Sequence, residues 1–97
     1  MINDLIIWID VFGYIGAGLL TILFMPQVYK TYKTKNVNGI SYIFLILEIL
    51  AALNFIIYGF LLKSLPIMIA NFSAFICSIL LLVAKIKFKE LELELNE

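Results

Sequence analysis

Three long apolar runs, separated by two short polar links, constrain the fold of this chain more than any other feature. The runs lie at about 5–28, 41–62 and 66–86, and each is long enough for a membrane-crossing helix, which needs about 20 apolar residues. Of the 97 residues, 64% are apolar and 14% are charged. A chain this short cannot bury so much apolar surface in a soluble globule. The sequence therefore predicts an all-α membrane protein built as a three-transmembrane-helix bundle.

The chain is organised as one helical unit with a charged end. We expect a single three-helix repeat over residues 1–89 and a solvated C-terminal tail over 90–97. Ser41 is a suitable N-cap for the second helix, and Pro66 suits the first turn of the third, where its missing N–H is not needed. The tail alternates Leu and Glu as a strand does, but a lone strand has no partner, so a frayed and solvated end is favoured.

The lysines predict how the chain lies in the membrane. Three lie in the first link, at 30–35, and three follow the third run, at 85–89, whereas the second link holds one. Loops rich in lysine face the cytoplasm, and three spans place the first link and the C-terminus on the same side. We therefore expect a multi-pass protein of the cell (inner) membrane, with its N-terminus outside and its C-terminus in the cytoplasm.

Composition argues against several classes of function. The net charge is zero, so the basic footprint of a nucleic-acid-binding protein is missing. The chain has one Cys and no His, which leaves no thiolate metal cluster and no Ser–His–Asp set. We expect no enzyme, no cofactor and no nucleic-acid partner.

A carboxylate lies inside the second apolar run. Glu48 is about two turns from the start of this run, and an ionisable residue at such depth is costly and a candidate for function. Helical spacing places Ala51, Ala52, Phe55 and Gly59 on the same side, which suits the wall of a pocket. Three other interpretations stay open: Glu48 is protonated and packed, pairs with a lysine of a partner, or snorkels to the headgroups.

Amides also lie within the second and third runs. Asn71, Ala74 and Ser78 share one face of the third helix, and an amide that donates and accepts hydrogen bonds suits the hydroxyls of an uncharged solute. Hydrogen bonding between helices is an equal alternative for Asn71, and it is the favoured role for Asn54. Cys77 is expected to be a small buried hydrophobe.

The first run contains small and helix-breaking residues. Gly13 and Ala17 form a small-xxx-small pair that favours close helix packing. Pro26 cannot donate to the carbonyl of Ile22, so the helix should bend there, with Gln27 just beyond. The bend is either a hinge or gate at the mouth of a cavity, or a static kink that ends the helix.

Three helices can line only part of a polar pathway. A transport function therefore implies an oligomer, most simply a parallel homodimer with a site on its two-fold axis. The alternative is an accessory or structural membrane subunit that does not transport.

Several short motifs occur in one order along the chain. They are Pro26-Gln27 at the end of the first run, a basic link that ends in Ile40-Ser41, Tyr58-Gly59 at the end of the second run, and Asn71 in the segment 65–71. In this order and spacing they resemble the PQ-loop signature as it occurs in bacterial SemiSWEETs, over roughly residues 13–86.

The resemblance implies a fold, a function and roles for single residues. SemiSWEETs are three-helix proteins, with the third helix between the first two, that move sugars passively as parallel homodimers by alternating access. By this resemblance Asn71 of each subunit contacts the sugar, Pro26 is the hinge of the inner gate, and Tyr58 belongs to the outer gate.

The chain departs from the pattern of the family in three respects. Phe55 stands where SemiSWEETs usually carry a Trp that stacks on the sugar, and it offers less area and no N–H. Leu62 and Ser64 stand where an Arg and an Asp often pair at the outer gate, so this gate must close by packing and hydroxyls. Glu48 replaces a residue that is usually apolar.

The leading hypothesis is a passive, bidirectional carrier of a small neutral solute, a mono- or disaccharide. Its expected binding residues are Asn71, Phe55, Glu48 and Ala51, and its expected gate residues are Pro26, Gln27 and Tyr58. The first alternative is a proton-coupled PQ-loop transporter of amino acids or other small solutes that uses Glu48. The second is a membrane module that does not transport.

Overall fold

The computed structural model describes residues 1–96 and contains three α-helices. They are α1 (Ile2–Thr34), α2 (Tyr42–Leu61) and α3 (Leu65–Leu95), and all three are long and apolar enough to cross a membrane. The 20 residues of α2 match the roughly 30 Å hydrocarbon core at 1.5 Å per residue. The longer α1 and α3 extend past it. The predicted all-α membrane fold is confirmed.

α3 is the central helix of the bundle. It packs against both α1 and α2, which within residues 1–96 make no contact with each other, so the expected order of the three helices is confirmed. The molecule measures 67 × 22 × 14 Å. Because a helix with side chains is about 10–12 Å wide and α3 separates α1 from α2, the three helices of residues 1–96 form a flat row.

Small residues set the distance between the helices. A Cβ added to Gly13 would lie 2.8 Å from the Cβ of Pro66, and Ala17, one turn further along, is buried. The expected close packing at this pair is therefore confirmed. On the other side of α3, a Cβ on Gly59 would lie 2.9 Å from Cγ2 of Ile67.

The two connections follow the expected local chemistry. The Ser41 hydroxyl accepts a hydrogen bond from the N–H of Phe44, at 3.2 Å, and Pro66 lies in the first turn of α3. Both predictions are confirmed. We call the end of the bundle that carries the α1–α2 link, residues 35–41, the link end. The opposite end carries the N-terminus and the short α2–α3 turn.

The C-terminal segment differs from the frayed end that the sequence predicted. α3 continues to Leu95 because Lys, Glu and Leu are strong helix formers and Lys89 lies 3.9 Å from the Glu92 carboxylate one turn on. Leu91 and Leu95 line a groove with Phe88 and residues of the link, but they are 39% and 78% exposed, so the helical extension remains largely solvated, as expected. Glu97, the last residue of the predicted tail, lies outside the described residues.

Candidate functional site

The register between α2 and α3 places the candidate residues at defined depths. α2 and α3 are antiparallel, Gly59 approaches Ile67, and Leu45 and Leu81 line one cavity near the other end. In an antiparallel pair, a step forward along one helix corresponds to a step back along the other. Phe55 precedes Gly59 by four residues and Asn71 follows Ile67 by four, so Phe55 and Asn71 lie at the same level. By the same count, Glu48 lies level with Ser78.

Asn71 keeps part of its hydrogen-bonding capacity free. Its Nδ2 donates to the carbonyl oxygen of Ile67, at 2.9 Å, whereas its Oδ1 accepts no hydrogen bond from the described residues. The side chain is half-buried. The amide oxygen is therefore available to a donor from outside the protomer.

The face of α3 that carries Asn71, Ala74 and Ser78 is partly covered by the neighbouring helices and partly open. Ala74 and Ser78 are buried in the helix packing. Ser78 is 1% exposed, and its Oγ has no hydrogen-bond partner among residues 1–96. Asn71 lies at the end of this row and is half-buried. Of the three residues expected on this face, Asn71 is the one that the helix packing leaves partly exposed.

The expected wall on α2 divides in the same way. Ala52 and Gly59 are buried against α3, so these two members of the predicted stripe are packing residues. Phe55 and Tyr58 are 52% and 47% exposed, and their ring centroids are 6.2 Å apart. Ala51 is exposed beside them, and the three form an apolar, partly aromatic surface.

Glu48 lies on the same helix two turns from Phe55. It is half-buried, and its carboxylate has no salt bridge or hydrogen bond within residues 1–96. Asn54, by contrast, is exposed and donates from Nδ2 to the carbonyl oxygen of Leu50 in its own helix, at 2.8 Å. Within residues 1–96, neither Glu48 nor Asn54 therefore forms a hydrogen bond or a salt bridge with another helix.

The expected gate residues lie at opposite ends of the bundle. α1 runs through Pro26 and on to Thr34 without a break, so Pro26 does not end the helix. Gln27 lines a cavity of about 290 Å³ together with Phe44, Leu45 and Leu81. Residues of α1, the link, α2 and α3 thus line one cavity at the link end, whereas Tyr58 lies near the opposite end.

Lys85 has a buried position that the lysine count does not predict, since the count shows only a charge near the end of the third run. It is 9% exposed, and its Nζ donates to the carbonyl oxygen of Val37, at 3.1 Å. The same Nζ lies 4.7 Å from the centre of the Tyr42 ring. One signal was available: Lys85 is two heptads from Asn71 and therefore on nearly the same face of α3.

Comparisons with known proteins agree with this architecture. A family model for the PQ loop repeat matches residues 8–68. The sugar transporter SemiSWEET of Leptospira biflexa is 37% identical over 62 residues, which cover 64% of this chain and 73% of that protein. The sugar transporter SemiSWEET of Escherichia coli is 34% identical over 59 residues, which cover 61% and 66%.

The fold also matches a solved structure. The crystal structure of a bacterial homologue of SWEET transporters aligns with a TM-score of 0.77 at 29% identity, over 81% of this chain and 95% of that one. Sequence and fold thus agree over most of the chain, and the chain belongs to the PQ-loop repeat family, among the SemiSWEETs.

Proposed function

We propose that this protein transports sugars across the membrane as a parallel homodimer. The observation that carries the proposal is the Asn71 amide, whose Oδ1 has no donor in the described chain and which lies level with the half-exposed ring of Phe55. Amide groups suit sugar hydroxyls, and an aromatic face suits the apolar side of a sugar ring. Two relatives named as sugar transporters support the same substrate class, and their names agree with the expectation that the chain is no enzyme.

The dimer follows from the shape of the protomer. Three helices in a flat row, 14 Å deep, provide one wall of a pathway, and a second copy related by a two-fold axis would provide the other. In this arrangement two Asn71 amides and two Phe55 rings enclose one solute. Ala51 and Glu48 continue the wall along α2 toward the link end.

The proposed mechanism is passive, bidirectional transport by alternating access. Pro26 leaves the carbonyl of Ile22 without its helical donor, which makes α1 easiest to bend just before Gln27 and the cavity at the link end. At the opposite end Tyr58 closes against its copy by ring packing. We place the link end in the cytoplasm and the protein in the cell (inner) membrane, because six of the seven lysines lie at that end.

The decisive experiment is solute counterflow in proteoliposomes with labelled mono- and disaccharides. Asn71→Ala should abolish sugar exchange while the dimer stays intact. Asn54→Ala is the matched control, because both amides donate to the carbonyl four residues back at similar distances. Only Asn71 lies at the proposed site. If both variants lose sugar counterflow equally, or if Asn71→Ala exchanges sugar as fast as the wild type, Asn71 is not part of the sugar site.

One observation favours a second candidate function. The Glu48 carboxylate has no cation within residues 1–96 and lies on the same wall as Phe55, where a proton-coupled carrier of amino acids or other small solutes would need it. A coupled carrier should respond to an imposed pH gradient and lose that response in Glu48→Gln. A uniporter of a neutral sugar should show neither effect. A monomer in bilayers would instead favour a module that does not transport.

A further inference from the structure

A group of side chains joins the α1–α2 link to α3 at the link end. We call it the link clamp and define it by Tyr32, Val37, Tyr42, Lys85 and Phe88. Val37 is 1% exposed and packs with Phe88, and the Tyr32 ring meets Phe88 edge-on at 5.6 Å. The link, although it connects two helices at a membrane surface, is therefore held against the third helix.

The charge of Lys85 is central to the link clamp. Its ammonium group bonds to one carbonyl, that of Val37, and faces the ring of Tyr42. The Val37 carbonyl also accepts from the N–H of Ile40, at 3.2 Å. The described chain supplies no carboxylate within 4 Å of Lys85. The cation is thus held by a backbone dipole and a π-face, both of which belong to the link and the start of α2.

Stability alone is a weak reason to keep a buried cation at this position. Replacing buried charged groups by apolar side chains of similar volume is often neutral or stabilising, and Val37 and Phe88 already provide apolar packing. A carbonyl and a ring face, however, define direction as well as distance. They hold the link in one position relative to α3 in a way that apolar contacts do not.

The position of the link clamp along the chain gives this rigidity a use. Every member from α1 or the link follows Pro26, and the Tyr32 hydroxyl donates to the Leu80 carbonyl, at 2.7 Å. The end of α1, the link, the start of α2 and the end of α3 are thus joined into one packed unit. Movement at Pro26 would be passed to α2 and α3 together, and not absorbed by a loose link.

We propose that Lys85 is a positioning residue for transport, which couples the bend of α1 at Pro26 to α2 and α3 by holding the link through Val37 and Tyr42. This proposal rests on the proposed transport function. Lys85 is 14 residues from Asn71, or about 21 Å along the helix, so it does not touch the solute. Its removal should therefore slow the change of conformation and leave solute binding unaltered.

The test compares Lys85→Met, Lys85→Arg and Lys87→Met by sugar counterflow, with maximal rate and half-saturating concentration measured separately. Lys87 is exposed two residues on and is the control for loss of a charge at this surface. Lys85→Met should lower the maximal rate about tenfold or more, the factor expected for a lost charged hydrogen bond. Its half-saturating concentration should stay within about twofold of the wild-type value. Lys85→Arg should keep most of the rate, and Lys87→Met all of it.

A second measurement needs no sugar. Amide hydrogen exchange should be about tenfold faster at Ile40 in Lys85→Met than in the wild type, because the Val37 carbonyl is no longer held. If Lys85→Met does not fold, Tyr42→Leu tests the same contact and should also accelerate exchange at Ile40. Hydrogen exchange at Ile40 that is as slow in Lys85→Met as in the wild type would overturn the proposal. A wild-type maximal rate in Lys85→Met would also overturn it, as would an effect on the half-saturating concentration alone. So would a Lys85→Arg variant that transports as slowly as Lys85→Met. If the wild-type protein transports no sugar, the proposed function is refuted instead. Hydrogen exchange at Ile40 would still test whether Lys85 holds the link.

Discussion

Gly13 offers the sharpest test of how α1 is seated on α3. A methyl group added at this position would lie 2.8 Å from Cβ and 3.1 Å from Cγ of Pro66. Both atoms belong to a ring that cannot rotate away, and Pro66 is itself buried in the first turn of α3. Gly13→Ala must therefore push the two helices apart or distort the α2–α3 turn.

The magnitude follows from two opposing effects. Ala is favoured over Gly in a helix by about 0.5–1 kcal/mol, and this gain applies at any helical position. Overpacking of a tight contact costs about 1–3 kcal/mol, and this cost applies only where the methyl group meets another atom. Gly13→Ala should thus be less stable than a matched Gly→Ala change elsewhere in α1 by about 1–3 kcal/mol.

The same helix supplies the controls. Added Cβ atoms on Gly16 and Gly18 would meet nothing within 4 Å, and these residues point to nearly opposite sides of α1, about 200° apart. A second copy of the chain, or any other single neighbour, can therefore cover only one of them. At least one of the two variants reports helix propensity alone and should be as stable as the wild type or more stable.

Thermal unfolding in mild detergent, followed by circular dichroism, measures the difference. For a chain of this size 1 kcal/mol corresponds to about 4–8 °C in Tm, so Gly13→Ala should unfold several degrees below the better control. If Gly13→Ala proves as stable as both controls, α1 does not approach Pro66 as closely as the structure has it, and the argument for packing by small residues is refuted.

Three further changes test other parts of the molecule. Phe55→Trp enlarges the aromatic face at the proposed site and should lower the half-saturating sugar concentration in counterflow, whereas an unchanged value would place Phe55 off the pathway. Ser41→Ala removes the cap on the N–H of Phe44 and should cost about 1 kcal/mol in unfolding, with Thr as the conservative variant that restores it. Lys63→Gly relieves a left-handed φ of 55° after α2 and should raise Tm by a few degrees, as Gly pays no Cβ penalty there; an unchanged or lower Tm would show that this turn is not strained.

The features that could be predicted from the sequence are those with a local cause. Span count follows from run length, and the cap at Ser41 and the position of Pro66 follow from the chemistry of helix ends. The Gly13–Ala17 pair predicted close packing because an absent side chain permits approach whichever helix is the neighbour. In each case a short stretch of sequence contains the whole physical reason.

The features that could not be predicted depend on which neighbour covers a given face. Helical spacing put Ala52 and Gly59 on one side with Phe55, but it could not show that α3 would cover the first two and leave the ring open. The lysine counts predict the topology of the chain, but they do not show which groups the ammonium of a flexible side chain such as Lys85 contacts. The alternation of Leu and Glu does not by itself indicate the helical continuation to Leu95, which follows from the high helix propensity of these residues.

The open polar groups lead to a conclusion about the functional unit that neither the fold nor the relatives supply. In hydrocarbon an unsatisfied polar group costs several kcal/mol, and a charged side chain costs as much or more. The Oδ1 of Asn71 and the carboxylate of Glu48 have no donors within residues 1–96, and both lie well inside helices of membrane-spanning length. A lone protomer with these groups against lipid would bear that cost permanently.

A second copy that shields them from lipid and admits water or solute removes this cost. The groups that favour association are therefore the same groups that we propose bind the solute. Asn71→Leu should therefore abolish transport and leave the dimer assembled, because the Glu48 carboxylate still bears that cost in a lone protomer. Dissociation of the dimer in that variant, measured by cross-linking in bilayers, would show that Asn71 is a helix-joining residue and not part of a solute site.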